Sequence, residues 1–137
     1  MCLAALKGSR KIAQEDIHVY KIIKTTDNPD TWDGPYYQAG LPFDQVVEVD
    51  SPDEESLEPF FLNYIECGGG FLHSHLKPEN AKLELEMLES TCDDDSKYFI
   101  TRAVIPKGSI YYTNELATDE FGHHSCAASN KLIVYKP

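Results

Sequence analysis

The residues best suited to chemistry fall in two short runs. The first, Gly70-Phe71-Leu72-His73-Ser74-His75-Leu76, follows directly on glycines 68 and 69 and enters a well-marked helix. The second is His123-His124-Ser125-Cys126. On a strand, residues two apart share a face, so His73 and His75 point one way and Ser74 the other. Two imidazoles on one face can act as metal ligands, and His123 with Cys126 would complete a tetrahedral zinc set where the runs meet. The same imidazoles suit proton transfer, because histidine titrates near neutrality. His-x-His is more often a solvent-facing pair, and the tight paired spacings of specific zinc motifs are missing. No cofactor is therefore expected, with zinc on His73, His75, His123 and Cys126 as the alternative.

Tyrosines supply a second kind of contact. Tyr36-Tyr37 and Tyr111-Tyr112 each place one ring inward and one outward on a strand, and an outward ring can meet a partner or a planar ligand. His73, Ser74, His75, Tyr111 and Tyr112 thus form the candidate ligand-binding set. Lys107-Gly108-Ser109 lacks the upstream glycine of a phosphate-binding loop and reads as a turn. Asp93-Asp94-Asp95 lacks the alternating ligands and central glycine of a calcium loop and reads as a solvated turn. Cysteines stand at 2, 67, 92 and 126 with no Cys-x-x-Cys, and no signal peptide or long apolar run accompanies them. The expectation is a cytoplasmic protein with reduced thiols. Removal of Met1 would expose Cys2 as an amino-terminal nucleophile, against the plainer reading of an ordinary cysteine.

These groups need a scaffold, and the totals allow one. A chain of 137 residues, 42% hydrophobic, is long enough to bury roughly two-thirds of its unfolded surface in a single domain spanning 1–137. Twelve basic against twenty-three acidic side chains give 12 − 23 = −11. That balance disfavours binding to nucleic-acid phosphates, since no counterion release would drive it. The charge is uneven: Lys7, Arg10, Lys11, Lys21 and Lys24 lie early, whereas Asp50, Asp53, Glu54, Glu55 and Glu58 form one acidic block and Asp93, Asp94 and Asp95 another. Such patches favour oriented docking to a protein with a basic surface. Nothing points to a membrane, and no oligomeric state is implied.

The periodicities predict strands over 17–23, 45–49, 60–67, 97–105, 109–112 and, as one closing strand, 131–135, with the His-Ser-His segment as another. Asn28-Pro29 and Asp33-Gly34-Pro35 mark residues 25–35 as a long loop carrying Trp32, a packed lid or a binding anchor. Ser51-Pro52-Asp53-Glu54 reads as a capping box for a short helix over about 52–58. Ala81, Leu85 and Leu88 recur at helical spacing, with Leu83 and Met87 widening the apolar stripe, and predict the principal helix over about 78–90. Residues 91–96 should turn, and 113–124 are loop-like. Strands, one good helix and more strands mean an α+β fold with a mainly antiparallel twisted sheet.

Several of these segments carry a resemblance. Met1-Cys2-Leu3, the Asp16 to Lys21 strand with its Val-Tyr-Lys, Gly70 to Ser74 with an inserted Leu72, Ile105 to Tyr112, and Ser129 to Val134 together resemble a group of small uncharacterised proteins of bacteriophages and gut bacteria. That resemblance brings no activity with it. A more distant one is to the ADP-ribosyltransferase fold, which implies a ligand role for His18 and Ser74 and an aromatic shelf at Tyr111 or Tyr112. The chain departs from that pattern by lacking a Glu-x-Glu near its last strands, leaving Glu115 or Glu120 to serve.

Two functions are therefore expected. One is a small acidic binding or inhibitory protein, of phage type, that presents its acidic patches to a host defence-related protein. The other is a small-ligand binder or metal-dependent enzyme built on His73, His75, His123 and Cys126.

Overall fold

Short β-branched and aromatic runs dominate the chain, and pairing satisfies their backbone groups. The computed structural model describes residues 3–35, 38–50, 53–57, 59–61, 64–68, 70–91, 97–113 and 126–137. Among them are β1 (Leu3–Leu6), β2 (Lys11–Ile12), β3 (Ile17–Thr25), β4 (Thr31–Asp33), β5 (Leu41–Pro42), β6 (Val46–Glu48), β7 (Pro59–Phe61), β8 (Tyr64–Cys67), β9 (Leu72–His75), α1 (Pro78–Thr91), β10 (Tyr98–Ile105), β11 (Ile110–Thr113), β12 (Cys126–Ser129) and β13 (Lys131–Val134). All the pairings are antiparallel. The large sheet runs β2-β11-β12-β9-β3-β10-β13-β6, with the β4–β5 hairpin attached to β3, and a small sheet runs β1-β8-β7. This is the expected α+β fold, mainly antiparallel sheet with one principal helix.

The centre of the large sheet is buried on both faces. Val19, Lys21 and Ile23 point to one side of β3 by strict alternation, and Ile22 points to the other. The first face carries the cluster of Ala13, Val19, Ile23, Trp32, Val47, Leu72, Ala103, Ile105, Ala127, Leu132 and Val134, drawn from seven strands and the β2–β3 connection, with no helix residue. With no helix to cover it, this face is closed by the sheet curling over its own inner side. The second face is covered in two places. Helix α1 packs Leu88 on Ile22 and Tyr98, while Ala5, Ile65 and Cys67 of the small sheet meet Phe71, Tyr112, Cys126 and Ala128.

Four expectations change on contact with these elements. Trp32 belongs to a strand, not a loop: β4 pairs with β3, the indole is fully buried, and its Nε1–H donates to Pro42 O at 3.1 Å. The short helix shrinks to a single 3-10 turn over Glu54–Ser56, with Asp53 at the N-cap position and no side-chain capping bond from it, while Ser51 and Pro52 lie outside the described residues. The lead-in to the expected closing strand is itself a strand: β12 precedes β13, and Asn130 separates them, its backbone N–H donating to Ile110 O at 3.0 Å while its Oδ1 accepts from Ile110 N–H at 2.8 Å. That exchange lets β12 pair with β9 and β11, and β13 with β10 and β6. Finally, α1 buries Ala81, Glu84 and Leu88, while Leu83 and Met87 are about half exposed, at 50% and 48%. The helix therefore presents its inner face one position away from the purely apolar stripe.

Truncation of the central indole tests this core. Trp32→Ala should lose about 3–5 kcal/mol, the range for large-to-small aromatic changes in a core. Urea unfolding followed by circular dichroism reads that loss; a change below about 1 kcal/mol, the range of surface substitutions, would place Trp32 outside the cooperative core.

Candidate functional site

Of the four residues expected to ligate a metal, the structure joins His75 to Cys126. They stand directly opposite each other in the β9–β12 ladder, and Tyr20 of β3 flanks His75 from the other side. Cross-strand neighbours share a face, so Cys126 Sγ comes within 3.6 Å of His75 Nδ1. Helix α1 begins only two residues after β9, doubles back over it, and lowers Glu84 onto the same imidazole. Its Oε2 lies 3.3 Å from His75 Nε2, at ion-pair distance though outside hydrogen-bond geometry. Sequence reasoning missed Glu84, because a glutamate among leucines reads as the helix's wet side.

The order is thiol, imidazole, carboxylate, with one ring nitrogen for each partner. Those nitrogens diverge, so one ion cannot take all three side chains as ligands. Among the described residues no group of three or more His, Cys, Asp or Glu side chains is arranged to hold a metal. His73 follows its own course, with Nε2 2.8 Å from Gly68 O. His123 lies outside the described residues.

Protonation follows from enclosure. Burial, with the Glu84 carboxylate second, pushes the Cys126 thiol up to about 12, so at neutral pH it is an S–H group facing Nδ1. Burial likewise drives His73 down to about 4, against the opposing pull of its bond to Gly68. Neutral His73 and protonated Cys126 are structural states, unlike the exposed thiolate a nucleophile needs.

The opposite face holds a second polar pair. The Tyr20–His75 register places Lys21 across from Ser74, and both are buried, at 4% and 2%. The Lys21 ammonium donates to His73 O at 2.6 Å and sits 5.6 Å from the centroid of Trp32. Burial lowers its pKa to about 8, and attraction to Glu84 partly offsets the fall. Ser74 Oγ meets no hydrogen-bond partner among the described residues. His18 is exposed and, by alternation from Tyr20, lies on the face opposite Ser74. Tyr112 is buried, edge-on to Phe71 at 5.8 Å, while Tyr111 lies half-buried beneath the Lys11 ammonium at 5.9 Å. Glu115 and Glu120 fall outside the described residues, as do Tyr36 and Tyr37.

The acidic residues divide as well. Asp50, Asp53 and Glu55 are exposed. Glu54 turns inward, accepting the Tyr112 hydroxyl at 3.1 Å and the Gly8 amide. On α1, Glu79, Glu86 and Glu89 are exposed around Leu83 and Met87. Ion pairs among the described residues join Lys131 to Glu48, Lys136 to Asp30 and His75 to Glu84, and none reaches Asp50, Asp53, Glu55, Glu79, Glu86 or Glu89. Glu58, Asp93, Asp94 and Asp95 fall outside the described residues.

Comparison with protein families, with curated proteins and with solved structures finds no match. No helix among the described residues is long and apolar enough to cross a membrane.

His73 gives the site a pH signature. Its folded pKa, about 4, lies below the ordinary 6.5, so between these values the unfolded chain binds the extra proton and stability falls as pH falls. A variant His73→Gln should flatten that fall, removing about 1 kcal/mol or more of acid sensitivity across this window. Urea midpoints at pH 7 and pH 4.5 check it; parallel losses in both proteins would show that His73 is not held neutral.

Proposed function

We propose that this chain is an acidic binding protein whose outward carboxylates dock a protein with a basic surface, of the kind that otherwise meets nucleic-acid phosphates. The observation that carries this reading is the outer face of α1, where half-exposed Leu83 and Met87 stand among exposed Glu79, Glu86 and Glu89, with Lys82 as the one exposed cation of the helix and no ion pair joining it to them among the described residues. Apolar anchors inside a charged rim are the usual anatomy of a binding surface. The excess of eleven negative charges steers a cationic partner toward the molecule before contact. Exposed Asp50, Asp53 and Glu55 extend the same field. A phage-type inhibitor of a host defence protein is the biological setting the sequence resemblance suggests.

Amides in place of carboxylates test this directly. A variant combining Glu79→Gln, Glu86→Gln and Glu89→Gln should retain its host-extract partner about tenfold less tightly at low ionic strength, three rim contacts of roughly 0.5 kcal/mol each supplying that factor. The parent's binding should weaken steeply with salt and the variant's should not. Equal retention of the same partner at low salt would sink the proposal.

A second reading has one observation behind it, the Cys126, His75, Glu84 order, which is that of a nucleophilic triad. Its obstacle is a thiol that is enclosed and protonated. Iodoacetamide labelling resolved by mass spectrometry separates the two: Cys126 should label only on unfolding, and rapid native labelling that depends on His75 would restore the enzyme.

A further inference from the structure

We infer that the open part of the large sheet's outer face is a self-association surface, on which a second copy of this chain packs about a two-fold axis. An antiparallel sheet with one solvated face alternates apolar residues inward with polar residues outward. Strands β13 and β6 break that rule. β13 buries Leu132 and Val134 on the inner side and turns Ile133 outward, followed by Tyr135 at 40% exposure, while β6 buries Val47 and turns Val46 outward at 54%. Helix α1 covers this outer face only around Ile22, Tyr98 and Ile100, and the small sheet covers it around Tyr112, Cys126 and Ala128. Val46, Ile133 and Tyr135 belong to none of the three apolar clusters, so nothing among the described residues accounts for hydrophobic side chains on this side of the sheet. Adjoining apolar side chains left outward in this way mark an interaction site.

The charges on the same face identify the occupant. The outward positions of β3, β10, β13 and β6 hold one carboxylate, Glu48, against the cations of Lys24, Arg102 and Lys131. In a chain with eleven excess negative charges, copies repel one another through most of their surface, and this face is where a second copy approaches without that repulsion. Arg102 is exposed and enters no ion pair among the described residues, whereas Glu48 meets Lys131 through Oε2 at 3.7 Å and keeps its second oxygen for a further donor. Their positions are related by symmetry. Arg102 stands level with Tyr135, whose N–H donates to its carbonyl at 2.9 Å, and Glu48 stands level with Lys131. Ile133 therefore lies midway between them, one strand and two residues from each. Consider a two-fold axis between two stacked sheets, passing over Ile133 and perpendicular to the line from Arg102 to Glu48. It sets Ile133 on its counterpart, Arg102 on Glu48 of the second copy and Tyr135 beside that copy's Val46. An isologous contact of this kind forms both ion pairs at once, across the spacing of about 10 Å that packed sheets keep. Helix α1 lies at the Ile22 and Tyr98 end, away from this axis, and leaves its acidic outer face free for the docking proposed above.

Sedimentation equilibrium of the protein tests the assignment. The parent should be a monomer–dimer system with a dissociation constant on the order of 10–100 µM, as befits a contact below the standard interface size. Arg102→Glu and Glu48→Arg are both surface changes, and circular dichroism checks that each variant is folded. Each should weaken the dimer by at least about tenfold, because each sets like charges face to face at both ends of the contact. Mixed in equal amounts, the two variants should pair again with near-parental affinity, since each supplies the charge that the other has lost. Ile133→Asp should abolish pairing of the parent. A parent that stays monomeric to about 1 mM, a dimer indifferent to either charge reversal, or folded variants that fail to pair on mixing would each overturn the assignment.

Discussion

Everything else in this fold depends on how a carboxylate comes to rest inside it. Glu84 is 3% exposed on the face of α1 that meets the sheet, where an isolated charge would cost several kcal/mol in desolvation. His75 on β9 stands 3.3 Å away and offsets part of that cost. On the opposite face of the sheet, Lys21 is held by His73 O and by the face of Trp32, and the Glu84 carboxylate acts on it through the sheet. The polar contacts thus tie α1 to β9 on one face, and β3, β9 and the β4–β5 hairpin together on the other. Because β9 passes into α1 with only two intervening residues, the chain has no slack with which to seat Glu84 elsewhere.

Burial also acts on the residues that the sequence singles out. His75 uses one nitrogen toward Cys126 and the other toward Glu84, and His73 uses Nε2 toward Gly68 O. Enclosure keeps the thiol protonated and His73 neutral. Each of these contacts helps to specify how helix and strand fit.

Alternation and helical spacing were legible in the sequence, and they located β3, β9, β10 and α1 closely. Both signals are local, and where the fold departs from them a distant partner intervened. Trp32 sits among turn formers, yet its ring is drawn into the core by strands at 19–23, 72, 103–105 and 132–134. Asn130 looks like an ordinary loop residue, but its exchange of hydrogen bonds with Ile110 divides the expected closing strand from β12, which pairs with different neighbours. Glu84 was invisible as a site residue because its role comes from tertiary burial, which overrides helix polarity patterns. The pairing of His75 with Cys126 was suspected from residue type alone; only the β9–β12 register makes it a contact.

The outer face of α1 is where the surface departs most from what folding alone asks of it. Leu83 and Met87 stand about half exposed among the exposed side chains of Glu79, Lys82, Glu86 and Glu89. Neither apolar side chain closes the core, since the cluster of Ile22, Leu88 and Tyr98 under the helix, with Leu85 and Ile100 packed on it, is built without them. A helix whose inner face carries a buried carboxylate and whose outer face carries apolar side chains inverts the ordinary pattern on both sides.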